Sequence, residues 1–174
     1  MQDRLAAAGL EDLLIDRIDN RAPAGATGYG YSRTALFDGY LTGSKDGQPL
    51  APLLGELKDY DGGGSDFTFG PFNFMLAYSD HVVVYVFYPV SHTQSKLDVL
   101  WLVNGSAEAG RDYDVDALTW LWHETTLEDL RIIHDNWLGV QSKYYEPGPF
   151  SELEDAEAVY VDWLLGELLR EDAG

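Results

Sequence analysis

The apolar positions change period along the chain. From residue 114 to about 138 they recur with helical spacing, each side chain turning by about 100°, and Leu118, Leu121, Trp122, Ile132 and Ile133 gather in one arc. Asp112 or Asp114 is the expected N-cap. Upstream, residues 67–78, 81–90 and 96–103 are rich in β-branched and aromatic side chains, which predicts three adjacent antiparallel strands. Ser79-Asp80 is the turn cue between the first two, the polar stretch 91–95 separates the second and third, and Asn104-Gly105-Ser106 ends the third. A short strand over 33–37 divides two stretches dense in turn residues, 20–32 and 38–66. Leu5, Leu10, Leu13, Leu14 and Ile18 predict a helical start. After Pro147 and Pro149, Ser151-x-x-Glu154 is a capping box for a last helix striped by Leu153, Ala156, Tyr160, Trp163, Leu164 and Leu168. With no repeat and no linker, residues 1–174 read as a single α+β domain, its sheet curling around the long helix.

One carboxylate interrupts the helical arc. Asp129 falls in its middle, with Asn136 two turns below. A desolvated carboxylate needs a cation, a metal or several donors. On the residues alone two roles stay open: a structural acid satisfied by an arginine or backbone N–H groups, or a metal ligand. The second needs neutral nitrogens nearby, because two imidazoles and one carboxylate hold iron while leaving coordination positions open. His123 and His134 lie about 120° or more around the helix from Asp129. His81 opens a strand, His92 sits in the next turn, and no histidine pair has the i, i+4 spacing of a helical metal site. All four read as structural or surface residues.

The other clusters have simple explanations. Gly62-Gly63-Gly64 is followed by no Lys-Ser/Thr, so it is not a phosphate loop, and no Gly-x-Ser-x-Gly elbow is present. Glu124 with Glu128, and Glu152, Glu154 and Asp155, read as solvated helix faces and helix N-terminal charge.

Charge and composition narrow the partners. Thirty acidic against 11 basic residues leave a net charge of −19, a surface that repels nucleic acid and anionic membranes. No apolar run is long enough for a transmembrane helix, and the N-terminus lacks the blocks of a secretion signal, so the cytoplasm is expected. The absence of cysteine excludes disulfides, a thiolate nucleophile and any iron–sulfur cluster held by this chain. The 11 Tyr, 7 Phe and 5 Trp suit a thick core or an apolar pocket.

A family resemblance rests on an ensemble of segments spanning residues 29–165. They are Trp101-Leu-Val, Ala109-Gly-Arg-Asp-Tyr-Asp-Val-Asp-Ala-Leu-Thr-Trp-Leu-Trp122, Glu128-Asp129 with Ile132-Ile133, Gly139-Val-Gln-Ser142 and Tyr145-Glu-Pro-Gly-Pro149. Gly43-Ser-Lys-Asp-Gly47, Ala51-Pro-Leu-Leu-Gly55 and Leu76-Ala-Tyr-Ser-Asp-His81 fit the same subgroup. Together they resemble the C-terminal part of the catalytic domain of Rieske non-haem iron oxygenases, the ring-hydroxylating oxygenase α subunits. The resemblance implies a helix-grip (START-like) fold, a curved antiparallel sheet packed around a long C-terminal helix. It implies a mononuclear Fe(II) held by two histidines and a carboxylate, the carboxylate position being Asp129. It further implies hydroxylation of an apolar or aromatic organic substrate by O2, electrons from NAD(P)H through a ferredoxin or reductase, and a homotrimer. The departures matter as much. Family members carry a Rieske domain with a 2Fe–2S centre, which a cysteine-free chain cannot hold, and no histidine here stands in the family's His-x-x-x-x-His-like context. The expectation is therefore a catalytic-domain portion separated from a missing N-terminal half and inert alone. The alternative is a non-enzymatic helix-grip module that binds an apolar small molecule.

Overall fold

The computed structural model describes residues 29–70, 72–151 and 155–171. Five strands form one antiparallel meander in the order β1 (Tyr29–Ala35), β2 (Gly63–Phe69), β3 (Asn73–Ala77), β4 (His81–Ser91) and β5 (Gln94–Val103). Two helices follow, α1 (Val115–Val140) and α2 (Asp155–Glu171), giving the α+β class that the strand and helix periods predict. Among the described residues no helix is long and apolar enough to cross a membrane. The expected N-terminal helix, and Glu154 of the expected capping box, lie outside the described residues.

The predicted strand over 67–78 is in fact two. β2 ends at Phe69, Gly70 turns the chain at φ 66°, and β3 starts at Asn73. A left-handed glycine followed in sequence by proline is turn chemistry, and it overrides the β-propensity on either side. The predicted loop over 38–66 is likewise shorter, because Gly63 and Gly64 are strand residues. Their bareness has a local reason: a Cβ on Gly63 would lie 2.4 Å from the Arg33 guanidinium, and one on Gly64 would lie 3.0 Å from the Tyr78 ring. β1 overlaps the short strand expected at 33–37 only over 33–35 and begins earlier, inside the stretch expected as a loop over 20–32, while the hairpin between Ser91 and Gln94 falls inside the polar cue at 91–95.

β4 alternates, with His81, Val83 and Tyr85 buried on one side. The registers Leu76↔Val83↔Trp101 and Phe74↔Tyr85↔Val99 carry that side across the sheet. Leu76, Val83 and Tyr85 form the core, packed by Phe74, Tyr78, Phe87, Leu97, Val99, Trp101 and Trp122. α1 is capped as expected, with Asp114 Oδ1 accepting from Ala117 N at 2.8 Å. Its first turns lie on the core side: Leu118 is only 4% exposed, and Tyr85 Oη donates to Trp122 O at 3.2 Å. From residue 127 to 139 every position is exposed, including Ile132, Ile133, Trp137 and Leu138. The sheet therefore grips the first half of the long helix rather than its whole length. α2 is joined to the strands through Phe72, whose ring meets Tyr160 and Trp163 edge-on at 5.6 and 5.7 Å.

Candidate functional site

Asp129 is exposed, so the expectation of a buried carboxylate is corrected. The arc around it holds in sequence, and the sheet covers its first part at Leu118 and Trp122, but Asp129, Ile132 and Ile133 lie in the half of α1 that no described element covers. Burial of an amphipathic face needs a partner, and the period alone cannot say whether this chain carries one. Asp129 makes no ion pair and no hydrogen bond among the described residues.

The position of Asp129 on the helix is nonetheless specific. One turn before it, Thr126 Oγ1 lies 2.8 Å from Tyr85 Oη and donates to Trp122 O at 2.6 Å. Burial raises the Tyr85 phenol above its ordinary range, Thr126 offsets part of this, and the negative charge of Asp129 adds to the rise. The carboxylate thus sits at the mouth of the helix–sheet contact, within electrostatic reach of a core hydroxyl.

A second carboxylate lies on the same side of the sheet. The register Ser32↔Asp66↔Leu76↔Val83 places Asp66 on the helix-bearing side. It is half-buried, its one hydrogen bond is from Ser32 Oγ at 3.3 Å, and no cation pairs with it among the described residues. Burial pushes its carboxyl above the ordinary value, with Ser32 lowering it in part. Neighbouring Arg33 is committed elsewhere, to Asp61 at 2.6 Å and to Ser65 Oγ at 2.8 Å. Near Asp66 stands Tyr78, whose phenol is raised by burial and then by the charge of Asp66. The Trp122 indole favours the Tyr78 phenolate slightly but falls short of hydrogen-bond geometry, so its buried Nε1 has no partner among the described residues. The Trp101 Nε1 and His81 Nε2 atoms are also buried without partners among the described residues.

The histidines do not converge on Asp129. His92, His123 and His134 are exposed, in agreement with the surface role expected of them. His81 is fully buried, stacked on Tyr78 at 4.8 Å, with Nδ1 2.8 Å from Asp80 Oδ1. Asp80 also accepts from Thr42 Oγ1 at 2.5 Å and from Leu50 N at 2.8 Å. Burial works to raise Asp80, but these donors hold it below the ordinary carboxylate value. Glu124 and Glu128 are exposed, as a solvated helix face requires. Among the described residues no three metal-ligating side chains gather, so these residues alone do not complete an iron site. Sequence reading missed Asp66 because it was placed in a loop. Alternation along Ser65-Asp66-Phe67-Thr68-Phe69 is the signal that puts Asp66 and Thr68 on one side.

Comparison with known proteins bears on the same helix and sheet. Residues 17–166 match the family model of the ring hydroxylating alpha subunit (catalytic domain). The glycine betaine monooxygenase oxygenase subunit of Pseudomonas aeruginosa, in strains UCBPP-PA14 and PAO1, is 31% identical over 140 residues, 79% of this chain and 33% of its own length. That of Chromohalobacter salexigens is 30% identical over 140 residues, 79% of this chain and 32% of its own length. The chain spans about a third of the length of the curated relatives it matches. Matched over most of its residues, the chain belongs to the family of ring-hydroxylating oxygenase α-subunit catalytic domains, which are Rieske non-haem iron oxygenases.

Proposed function

We propose that this chain is the C-terminal portion of the catalytic domain of a Rieske-type oxygenase, and that Asp129 is the carboxylate it contributes to a mononuclear Fe(II). The complete enzyme would hydroxylate a small organic substrate with O2, in the cytoplasm, using NAD(P)H-derived electrons delivered by a ferredoxin or reductase. The names of the relatives favour a methylated ammonium compound such as glycine betaine over an aromatic ring. The observation that carries the reading is the place of Asp129: a carboxylate unpaired among the described residues, in the Glu128-Asp129 step of the long helix, one turn past the Tyr85–Thr126 contact. One carboxylate binds first-row metals weakly and without defined geometry, so the two imidazoles would come from other polypeptide and the chain alone would be inert. A homotrimer would then require that polypeptide as well.

Iron titration tests this. The purified chain should take up no stoichiometric iron. Supplied with the His-bearing part of a family member, it should take up one equivalent, and Asp129→Asn should abolish that uptake. Stoichiometric iron in the lone chain would overturn the inertness, and retention of iron by the Asn variant would overturn the role of Asp129.

The second reading, a ligand-binding module without catalysis, is favoured by one feature. Phe72, Phe87, Tyr88, Pro89, Ser95 and Tyr160 line a pocket of about 310 Å3 between the β4–β5 hairpin and α2. Saturable binding of an apolar probe there, lost in Tyr160→Ala, with no iron uptake in any combination, would favour it over the oxygenase.

A further inference from the structure

We infer that Asp66 sets ligand specificity on the helix-bearing side of the sheet, its carboxylate acting as the counter-charge for a small alkylated cation. This rests on the reading of that side as the substrate side, and deepens it. A half-buried carboxylate without a cation is costly unless something else compensates it. Among the described residues Asp66 has one hydrogen bond, from Ser32, and the guanidinium nearest in sequence turns to Asp61 and Ser65 on the opposite side. Around it the registers place Thr68, Leu76 and, diagonally, Phe74 and Tyr78 on the same side. The rings of Phe74 and Tyr78 are half-buried, each with one face stacked, on Tyr85 at 4.4 Å and on His81 at 4.8 Å, and Thr68 beside Asp66 is exposed. An anion beside aromatic faces suits a cation whose charge is spread over alkyl groups, because ring quadrupoles and carboxylate then act on it together. A neutral molecule of the same shape gains only the apolar contact.

The test is a titration of the chain, at constant ionic strength, with tetramethylammonium chloride and with the neutral, similarly shaped tert-butyl alcohol, followed by tryptophan fluorescence and calorimetry. Tetramethylammonium should bind saturably and at least tenfold more tightly than the alcohol. Asp66→Asn should remove that tenfold preference, Asp66→Glu should restore most of it, and alcohol binding should be unchanged in all three. Equal binding of cation and alcohol by the unsubstituted chain, no saturable binding, or an Asn variant that keeps the preference would each overturn the role of Asp66. The comparison of the two ligands needs no variant, so it decides the matter even if Asp66→Asn does not fold. Cation binding without iron uptake in any combination would fail the oxygenase reading while leaving Asp66 its role. Iron uptake through Asp129 without cation binding would do the reverse.

Discussion

Asp80 Oδ1 lies 2.8 Å from His81 Nδ1, and both side chains are wholly without solvent exposure. Through Thr42 Oγ1 and Leu50 N the same carboxylate fastens the loop between β1 and β2 to the β3–β4 turn. Asp80→Ala would strand a buried imidazole, a hydroxyl and a backbone N–H at once. Removing one member of such a buried polar set costs about 3–5 kcal/mol. Thr42→Val removes one donor and is expected to cost about 1–2 kcal/mol. Urea unfolding measures both as shifts of the midpoint at constant slope. An alanine variant no less stable than Thr42→Val would show that Asp80 does not organise the loop.

The two halves of α1 should differ in protection. Leu118, Trp122 and Thr126 meet the core side of the sheet, whereas 127–139 meet solvent on every side. Amide exchange should therefore be slow up to about Thr126 and accelerate beyond it. Leu118→Ala should cost about 2–5 kcal/mol, since it opens a cavity at a buried site. Ile133→Ala, at 63% exposure, should stay within about 0.5 kcal/mol in the chain alone. Uniform protection along the helix would mean that its second half is covered.

That asymmetry also marks how far the sequence could be read. The periods of 2 and 3.6 disclose the meander, the long helix and its Asp114 cap, because each depends only on side chains a few positions apart. The break after Phe69 depends on one glycine whose conformation outweighs a run of strand formers, and Gly63-Gly64 looks like a loop until Arg33 and Tyr78 are seen pressing on it. Asp129 stood out because it is polar within an apolar arc. Its exposure was not legible, since a helical wheel shows which residues share a side and not what covers them. Asp66 was hidden for the opposite reason: its neighbours Ser32, Leu76 and Tyr78 are distant in sequence and meet it only through the strand registers.

Tyr85→Phe should loosen the helix from the sheet without a cavity. The Tyr85 hydroxyl bridges Trp122 O and Thr126 Oγ1, while Thr126 keeps its own bond to Trp122 O. The loss should be about 1 kcal/mol, the usual net value of such a hydrogen bond. Thr126→Val should cost a similar amount, and the double variant less than the sum, because both remove the same contact. Full additivity in the double-mutant cycle would show that the 2.8 Å approach carries no coupling.

The two helix-side and turn carboxylates should oppose each other in the pH dependence of stability. Asp80, held below 3.8 by His81, Thr42 and Leu50 despite its burial, releases its proton more readily in the folded chain. Its contribution is present above the unfolded value and is lost as pH falls through the lowered one. Asp66 is raised above 3.8 by burial, so the folded chain keeps that proton to a higher pH than the unfolded chain does. Its contribution is present at low pH and is lost as pH rises through the raised value, which leaves a penalty near neutrality. Asp66→Asn should therefore melt at a higher temperature than the unsubstituted chain at about pH 7, and the gap should close as pH approaches about 4. Thermal unfolding across that range measures it. A lower melting temperature for the Asn variant at neutral pH would mean that the Asp66 charge is already compensated in the free protein, and that it has none to spare for a ligand.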